Sequence, residues 1–241
     1  MRLKIAAALL FVLATTTAAA TTIEPLPSTT PQSTQVGAFF PVEMGVIVFD
    51  DFGQPVAGAP VHFLLSDVMS TFVNAGGLLD MVTDANGIAI PPMHIAMNDG
   101  VSFMQATTPD AAEPAYFDIQ VTGDIPSSMA LLSGQSQTAH INAQFSQRIV
   151  AQVFTPNRKP VPYAAIEFYL RPDAVPSGLF DGGMNWVIVK ADANGVAMAP
   201  NIVANGIVGQ EYGLALAMRT TYNNSQYANA SQLFKYKLIA P

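Results

Sequence analysis

The stretch TDANGIAIPP at 83–92 returns as ADANGVAMAP at 191–200, and this repetition is the strongest constraint on the fold. Upstream of it, VFDDFGQPVAGAPVHFLL (48–65) aligns with VFTPNRKPVPYAAIEFYL (153–170), keeping Val, Phe, Pro, Val, Ala, Phe and Leu in place. The offset is 105 there and 108 at the DANG segment, so three additional residues fall within RPDAVPSGLFDGG (171–183). A period of about 100 residues in a chain of 241 means two copies of one module, each large enough to bury its own core.

The module is built from strands. VEMGVIVFD, APVHFLLS, LLDMVT, VSFMQAT and AYFDIQVTG are short apolar runs with period-two alternation, separated by turn residues, and no helical period of useful length intervenes. About seven such strands in some 90 residues predict an all-β sandwich. Asp84, Asn86 and Gly87, with Asp192, Asn194 and Gly195 in the second copy, read as structural turns. Asp supplies an Asx-type acceptor and Asn and Gly tolerate positive φ, so each segment is expected to close a hairpin. Gly53, Pro55 and Gly58 shape the preceding corner; the second copy offers Asn157, Pro160 and Tyr163, with Asn157 expected in the left-handed conformation.

Residues 1–20 read as a signal peptide, with Arg2 and Lys4, an apolar run too short to span a bilayer and small residues before a cut after Ala20. Residues 21–35, TTIEPLPSTTPQSTQ, are dense in Thr, Ser and Pro and read as a flexible linker. The first sandwich is expected at 36–124, an interdomain linker at 125–136 and the second sandwich at 137–240. The chain is 50% hydrophobic and 11% charged, which excludes disorder for most of it. A net charge of −7 without basic clusters excludes nucleic acid and anionic lipid surfaces as partners. With no cysteine, thiol catalysis, cysteine-based zinc sites and a lipid-modified cysteine are all excluded. No segment after the signal suits a membrane span, and export to the periplasm, cell surface or medium is the expected localisation.

DFGQPVAGAPVHF, VTDANGIAIPP and AYFDIQV in the first copy, and KPVPYAAIEF, ADANGVAMAPNIVANGIVGQEYGLALA and SQLFKYKL in the second, resemble the bacterial Ig-like domains of group 1. These are the repeats that build the stalks of intimin- and invasin-like adhesins. The resemblance spans about 36–240 and implies two tandem Ig-like antiparallel β-sandwiches serving as spacer or adhesive segments at a bacterial surface. The transthyretin-like module shares the G-x-P-V-x-G-A corner, but the ANG spacing favours the Ig-like family. Full adhesins of this type resemble a barrel, many repeats and a binding tip, and the remaining residues here hold neither barrel nor tip.

Catalytic constellations are absent from the pattern. His62, His94 and His140 lie singly on or beside predicted strands, and no Gly-x-Ser-x-Gly, HExxH or phosphate loop occurs. Calcium candidates are Asp80, Asp84 and Asn86, with Asp50 and Asp51 at the same pole, but EF-hand spacing fails and turn formation accounts for them. Met93 and His94 hint weakly at copper, core filling being the ordinary use of methionine. Trp186, Phe180, Tyr163 and Tyr169 suit either core packing or a sugar-stacking platform. Asn223 and Asn229 match the glycosylation pattern. No cofactor is expected. The expectation is an exported non-catalytic structural or interaction protein that contacts a protein or glycan of the envelope or extracellular space, with a small-ligand or calcium-binding sandwich as the alternative.

Overall fold

The structure is a computed structural model that describes residues 22–241 except 68, 74, 93, 124, 172–174, 218–220, 223–224 and 227–229. The signal segment with its cut after Ala20, Met93 and both glycosylation sites lie outside the described residues. The first module runs through β1 (Thr22–Pro25), β2 (Gln32–Gln35), β3 (Val46–Phe49), β4 (Pro60–Leu65), β5 (Ser70–Phe72), β6 (Leu78–Val82), β7 (Ile88–Ala89), β8 (His94–Ala96), β9 (Gly100–Thr107) and β10 (Ala115–Thr122). The second runs through β11 (Ser128–Ser133), β12 (Ser136–His140), β13 (Val150–Phe154), β14 (Ala165–Tyr169), β15 (Gly178–Phe180), β16 (Trp186–Lys190), β17 (Val196–Met198), β18 (Ile202–Ala204), β19 (Gly209–Ala217) and β22 (Ser231–Ile239), with a small pair of β20 (Thr221–Tyr222) and β21 (Ser225–Gln226). No helix occurs among the described residues, so none crosses a membrane there.

Each module is a sandwich of a three-stranded and a five-stranded sheet in the same order. The first has β1-β3-β7 facing β2-β10-β9-β4-β6, and the second has β11-β13-β17 facing β12-β22-β19-β14-β16. Alternation in sequence becomes alternation in burial, as in β10, where Ala115, Phe117, Ile119 and Val121 point inward between exposed neighbours. Phe63, Met104 and Phe117 fill one core; Ile166, Phe168 and Phe234 fill the other. Full burial of such side chains stabilises by about 1.5–3 kcal/mol each.

Three expectations need correction. The segment 21–35 is no flexible linker where it is described: β1 pairs antiparallel with β3, and β2 pairs with β10. Its Thr and Gln side chains, which gave it a linker's composition, satisfy the backbone where the chain crosses between sheets. Gln32 Nε2 donates to the carbonyls of Thr29 and Val42 at 2.9 and 2.8 Å, and its Oε1 accepts from the Val42 N–H at 3.0 Å. The second module repeats this, the Gln147 N–H donating to Gln137 Oε1 at 3.0 Å. The proposed linker 125–136 likewise contains β11, which pairs with β13. The sheets are also not wholly antiparallel, since β2 runs parallel to β10 and β12 parallel to β22. The first strand of each module joins one sheet and the second crosses to flank the module's last strand.

A chain beginning at Val36 lacks β1 and β2. It is expected to lose the unfolding transition of the first module while keeping that of the second, as read by thermal melting and amide hydrogen exchange.

Candidate functional site at the turns and the module junction

The DANG segments perform a sharper task than hairpin closure. Asp84 Oδ1 accepts from the N–H groups of Asn86 and Ile88 at 2.8 and 3.0 Å, and Asp192 Oδ1 does the same for Asn194 and Val196 at 2.8 and 2.9 Å. These bonds hold both carboxyls below the ordinary carboxylate range. Yet β6 pairs with β4 and β7 with β3, so the turn carries the chain from one sheet to the other and does not close a hairpin. The carbonyl of Gly87 (φ 74°) accepts from the Val48 N–H at 2.9 Å, and that of Gly195 (φ 72°) from the Val153 N–H at 3.1 Å. A Cβ on Gly87 would lie 2.9 Å from Val48 O and 3.0 Å from Val56 N; on Gly195 it would lie 3.0 Å from Val153 O and 2.9 Å from Val161 O. The turn therefore seats directly on the corner that precedes β4.

At that corner Gly53 and Gly58 have positive φ, and so do their counterparts Arg158 and Tyr163. The left-handed residue expected at Asn157 is Arg158, one position later, where the offset of 105 places it.

The calcium candidates are distributed among other tasks. The Asp80 carboxylate meets His62 Nδ1 at 2.7 Å, Asp84 caps its turn, and Asp50 accepts from the N–H groups of Phe52 and Gln54 at 2.9 and 2.8 Å. Among the described residues no three His, Cys, Asp or Glu side chains converge on a common point. His140 Nδ1 lies 2.8 Å from the Ala240 carbonyl.

The modules meet through segment 36–41 of the first. The Phe39 N–H donates to the Tyr163 carbonyl and the Ala165 N–H to the Gly37 carbonyl, both at 2.9 Å. Phe39 packs with Ile95 and Ala165 in a small core of its own. Lys190 Nζ donates to the carbonyls of Phe40 and Pro41 at 2.7 and 3.1 Å and lies 5.3 Å from the centre of the Tyr163 ring. Burial lowers the Lys190 pKa, with Glu43 opposing. The sequence marked Tyr163 as a replacement for glycine and as one of four aromatics suited to packing or sugar stacking, and it passed over Lys190; the available signal was a bulky residue at a left-handed position.

Beside this contact a cavity of about 170 Å³ is lined by Phe39, Phe40, Glu43, Met44, His94 and Lys190, among others. The buried His94 ring lies between Phe40 and Phe72, with centroids at 4.6 and 5.1 Å. Its Nε2 is 2.8 Å from Ser70 Oγ and its Nδ1 has no partner among the described residues. Burial pushes its pKa down to about 3, so the ring is neutral and suits packing.

No protein family matches the sequence, and no curated protein does. In structure the chain is similar to FdeC, an adhesin of Escherichia coli, at 10% identity over 93% of this chain and 65% of that one, with a TM-score of 0.33. It is also similar to invasin, a bacterial integrin-binding protein, at 14% identity over 91% and 39%, TM-score 0.35. A third is domains 5-6 of the surface layer protein SbsC, at 12% identity over 92% and 98%, TM-score 0.33. The chain spans less than two thirds of the two adhesin structures. The neighbours thus include the invasin-like adhesins to which the motifs pointed, while the fold described above rests on this chain's own topology.

Two outcomes follow from these contacts. Gly87→Ala forces an alanine into a left-handed, crowded position and is expected to destabilise the first module by about 2 kcal/mol or more in urea unfolding. For His94, the unfolded ring takes a proton below its ordinary value of 6.5 and the folded ring resists until about 3. Stability is therefore complete above 6.5 and falls by about 1.4 kcal/mol per pH unit within that window. His94→Ile, which copies Ile202 of the second module, removes this component, as urea unfolding from pH 7 to 4 is expected to show.

Proposed function

We propose that the chain is an exported, non-catalytic structural or interaction protein whose two Ig-like modules contact a protein or glycan of the cell envelope or extracellular space. The observation that carries this reading is the outward face of each five-stranded sheet. In the first module, register places Leu78, Leu64, Gln105 and Tyr116 in one lateral row across β6, β4, β9 and β10. Leu78 is 55% and Tyr116 50% exposed, and Phe103, 42% exposed, stands edge-on to Tyr116 at 5.8 Å. In the second, Trp186, Tyr169, Leu214 and Leu233 form the corresponding row across β16, β14, β19 and β22. Rows of exposed apolar and aromatic side chains that recur in both copies suit a contact surface.

The junction supports the same reading, because main-chain bonds on both sides of Ala38 hold the two faces in a set relation and suit a semi-rigid spacer. The signal-like segment at 1–20 supports export, and the periplasm, cell surface and medium all fit it.

The test is affinity capture on immobilised residues 21–241, with solubilised envelope and secreted material from the source organism, calcium present and then chelated. Wild type is expected to recover a specific protein or glycan, and Phe103→Ser with Tyr116→Ser, or Tyr169→Ser with Leu233→Ser, to reduce recovery by about tenfold. Empty capture by a folded bait, or recovery unaffected by both pairs, removes the reading; loss on chelation alone moves it to the calcium-dependent alternative.

A further inference from the structure

A cleft of about 430 Å³ lies between the first module's β5 with Met97, just after β8, and the outward face of β14 and β16, within the size range of ligand sites. Phe72 and Met97 form one side; Glu167, Tyr169, Trp186 and Ile188 form the other. Tyr169 stands opposite Trp186, and Glu167 stands between Ile188 on β16 and Leu216 on β19. Glu167 is thus a half-buried carboxylate with aliphatic neighbours on both adjacent strands. Among the described residues it has no ion-pair partner, the two pairs there being His62 with Asp80 and Arg171 with Glu211. Burial raises its pKa, the mark of a carboxylate short of compensation.

The internal repeat supplies the comparison. At the same lattice points the first module has His62 for Glu167, Asp80 for Ile188, Leu64 for Tyr169 and Leu78 for Trp186. There the acid has a hydrogen-bond partner within the sheet, the His62 ring at 2.7 Å. In the second copy the imidazole is gone, an acid takes its place, and both flanking leucines have become aromatic. A carboxylate beside aromatic faces is the chemistry that recognises an organic cation. A planar guanidinium fits it better than an ammonium, since it pairs with a carboxylate through two N–H groups and stacks on rings with little loss of hydration.

We propose that this cleft receives an arginine side chain of a partner polypeptide, its guanidinium pairing with Glu167 against Trp186 and Tyr169. The proposal rests on the reading of the chain as a protein-binding module. A polypeptide is the fitting source because the row that begins at Trp186 and Tyr169 (36% exposed) continues through Leu214 to Leu233 (63% exposed), giving apolar residues that flank the arginine a surface to cover.

Trp186 is the chain's one tryptophan, so its fluorescence reports the cleft alone. Residues 21–241 are titrated with acetyl-Ser-Leu-Arg-Leu-Ser-amide, with the citrulline and lysine analogues, and with N-acetylarginine amide. The arginine peptide is expected to change Trp186 emission saturably, and the citrulline peptide to bind at least about tenfold more weakly. Glu167→Gln should weaken the arginine peptide by a similar factor, Asp80→Asn should leave it unchanged, and Tyr169→Leu, as in the first module, should weaken it independently. N-acetylarginine amide should bind more weakly than the peptide; equal binding would assign the cleft to a free small cation and overturn the polypeptide source. Failure of the arginine peptide to act at about millimolar concentration, or equal binding by its citrulline analogue or by Glu167→Gln, overturns the proposal. Partner capture that persists in Glu167→Gln would do so while leaving the protein-binding reading intact. Empty capture with intact peptide binding would do the reverse.

Discussion

The close backbone contact at Gly87, and its copy at Gly195, is the constraint on which each sandwich depends. A strand leaving the five-stranded sheet must reverse and join the other sheet within a few residues, and it must do so against a strand already in place. The Asp84 carboxylate tightens the turn by taking two N–H groups that no ladder serves, and the glycine lets the turn lie on Val48 and Val56 without a Cβ between them. Register of β3 with β7 follows from that seating, and with it the closure of the sheet over the core. That both copies retain the Asp and the Gly is what this geometry demands.

Much of this was legible in the residues. Alternation in AYFDIQVT announced a strand with one buried face, and the paired DANG segments announced two modules. What stayed hidden was hidden for physical reasons. Thr29, Gln32 and Thr34 have a linker's composition because they do the work of main-chain partners at a sheet crossing, and composition carries no trace of which polar atoms face inward. A turn motif is the same string whether the strands beside it pair with one another or with third parties, so the crossing was read as a hairpin. Arg158 was missed because propensity favours asparagine in the left-handed region, whereas the position in the corner decides. At the junction, Tyr163 and Lys190 are ordinary residues until the fold brings segment 36–41 to them. Glu167 had no motif at all; only its register opposite Ile188 and Leu216 distinguishes it from a solvated strand glutamate.

The two copies have diverged at points where each faces something different. His94 and Ser70 occupy positions held by Ile202 and Gly178 in the second module, so one core carries a neutral buried imidazole where the other is apolar. On the outer sheets the difference lies at β4 and β6 against β14 and β16, where the first copy has Leu64, Leu78 and an Asp80 bonded to His62 and the second has Tyr169, Trp186 and a Glu167 without an ion-pair partner among the described residues. Shared architecture thus supports two unlike surfaces.

The junction has a direction. Where the second module presents Tyr163 and Lys190 to its neighbour, the first has Gly58 and Val82 at the matching points, and neither offers a ring or an ammonium group. Exchanging the order of the modules would keep every strand and lose the joint. Two residues on one pole therefore make the tandem an ordered pair, in which the second copy accepts the first and the relation cannot be inverted.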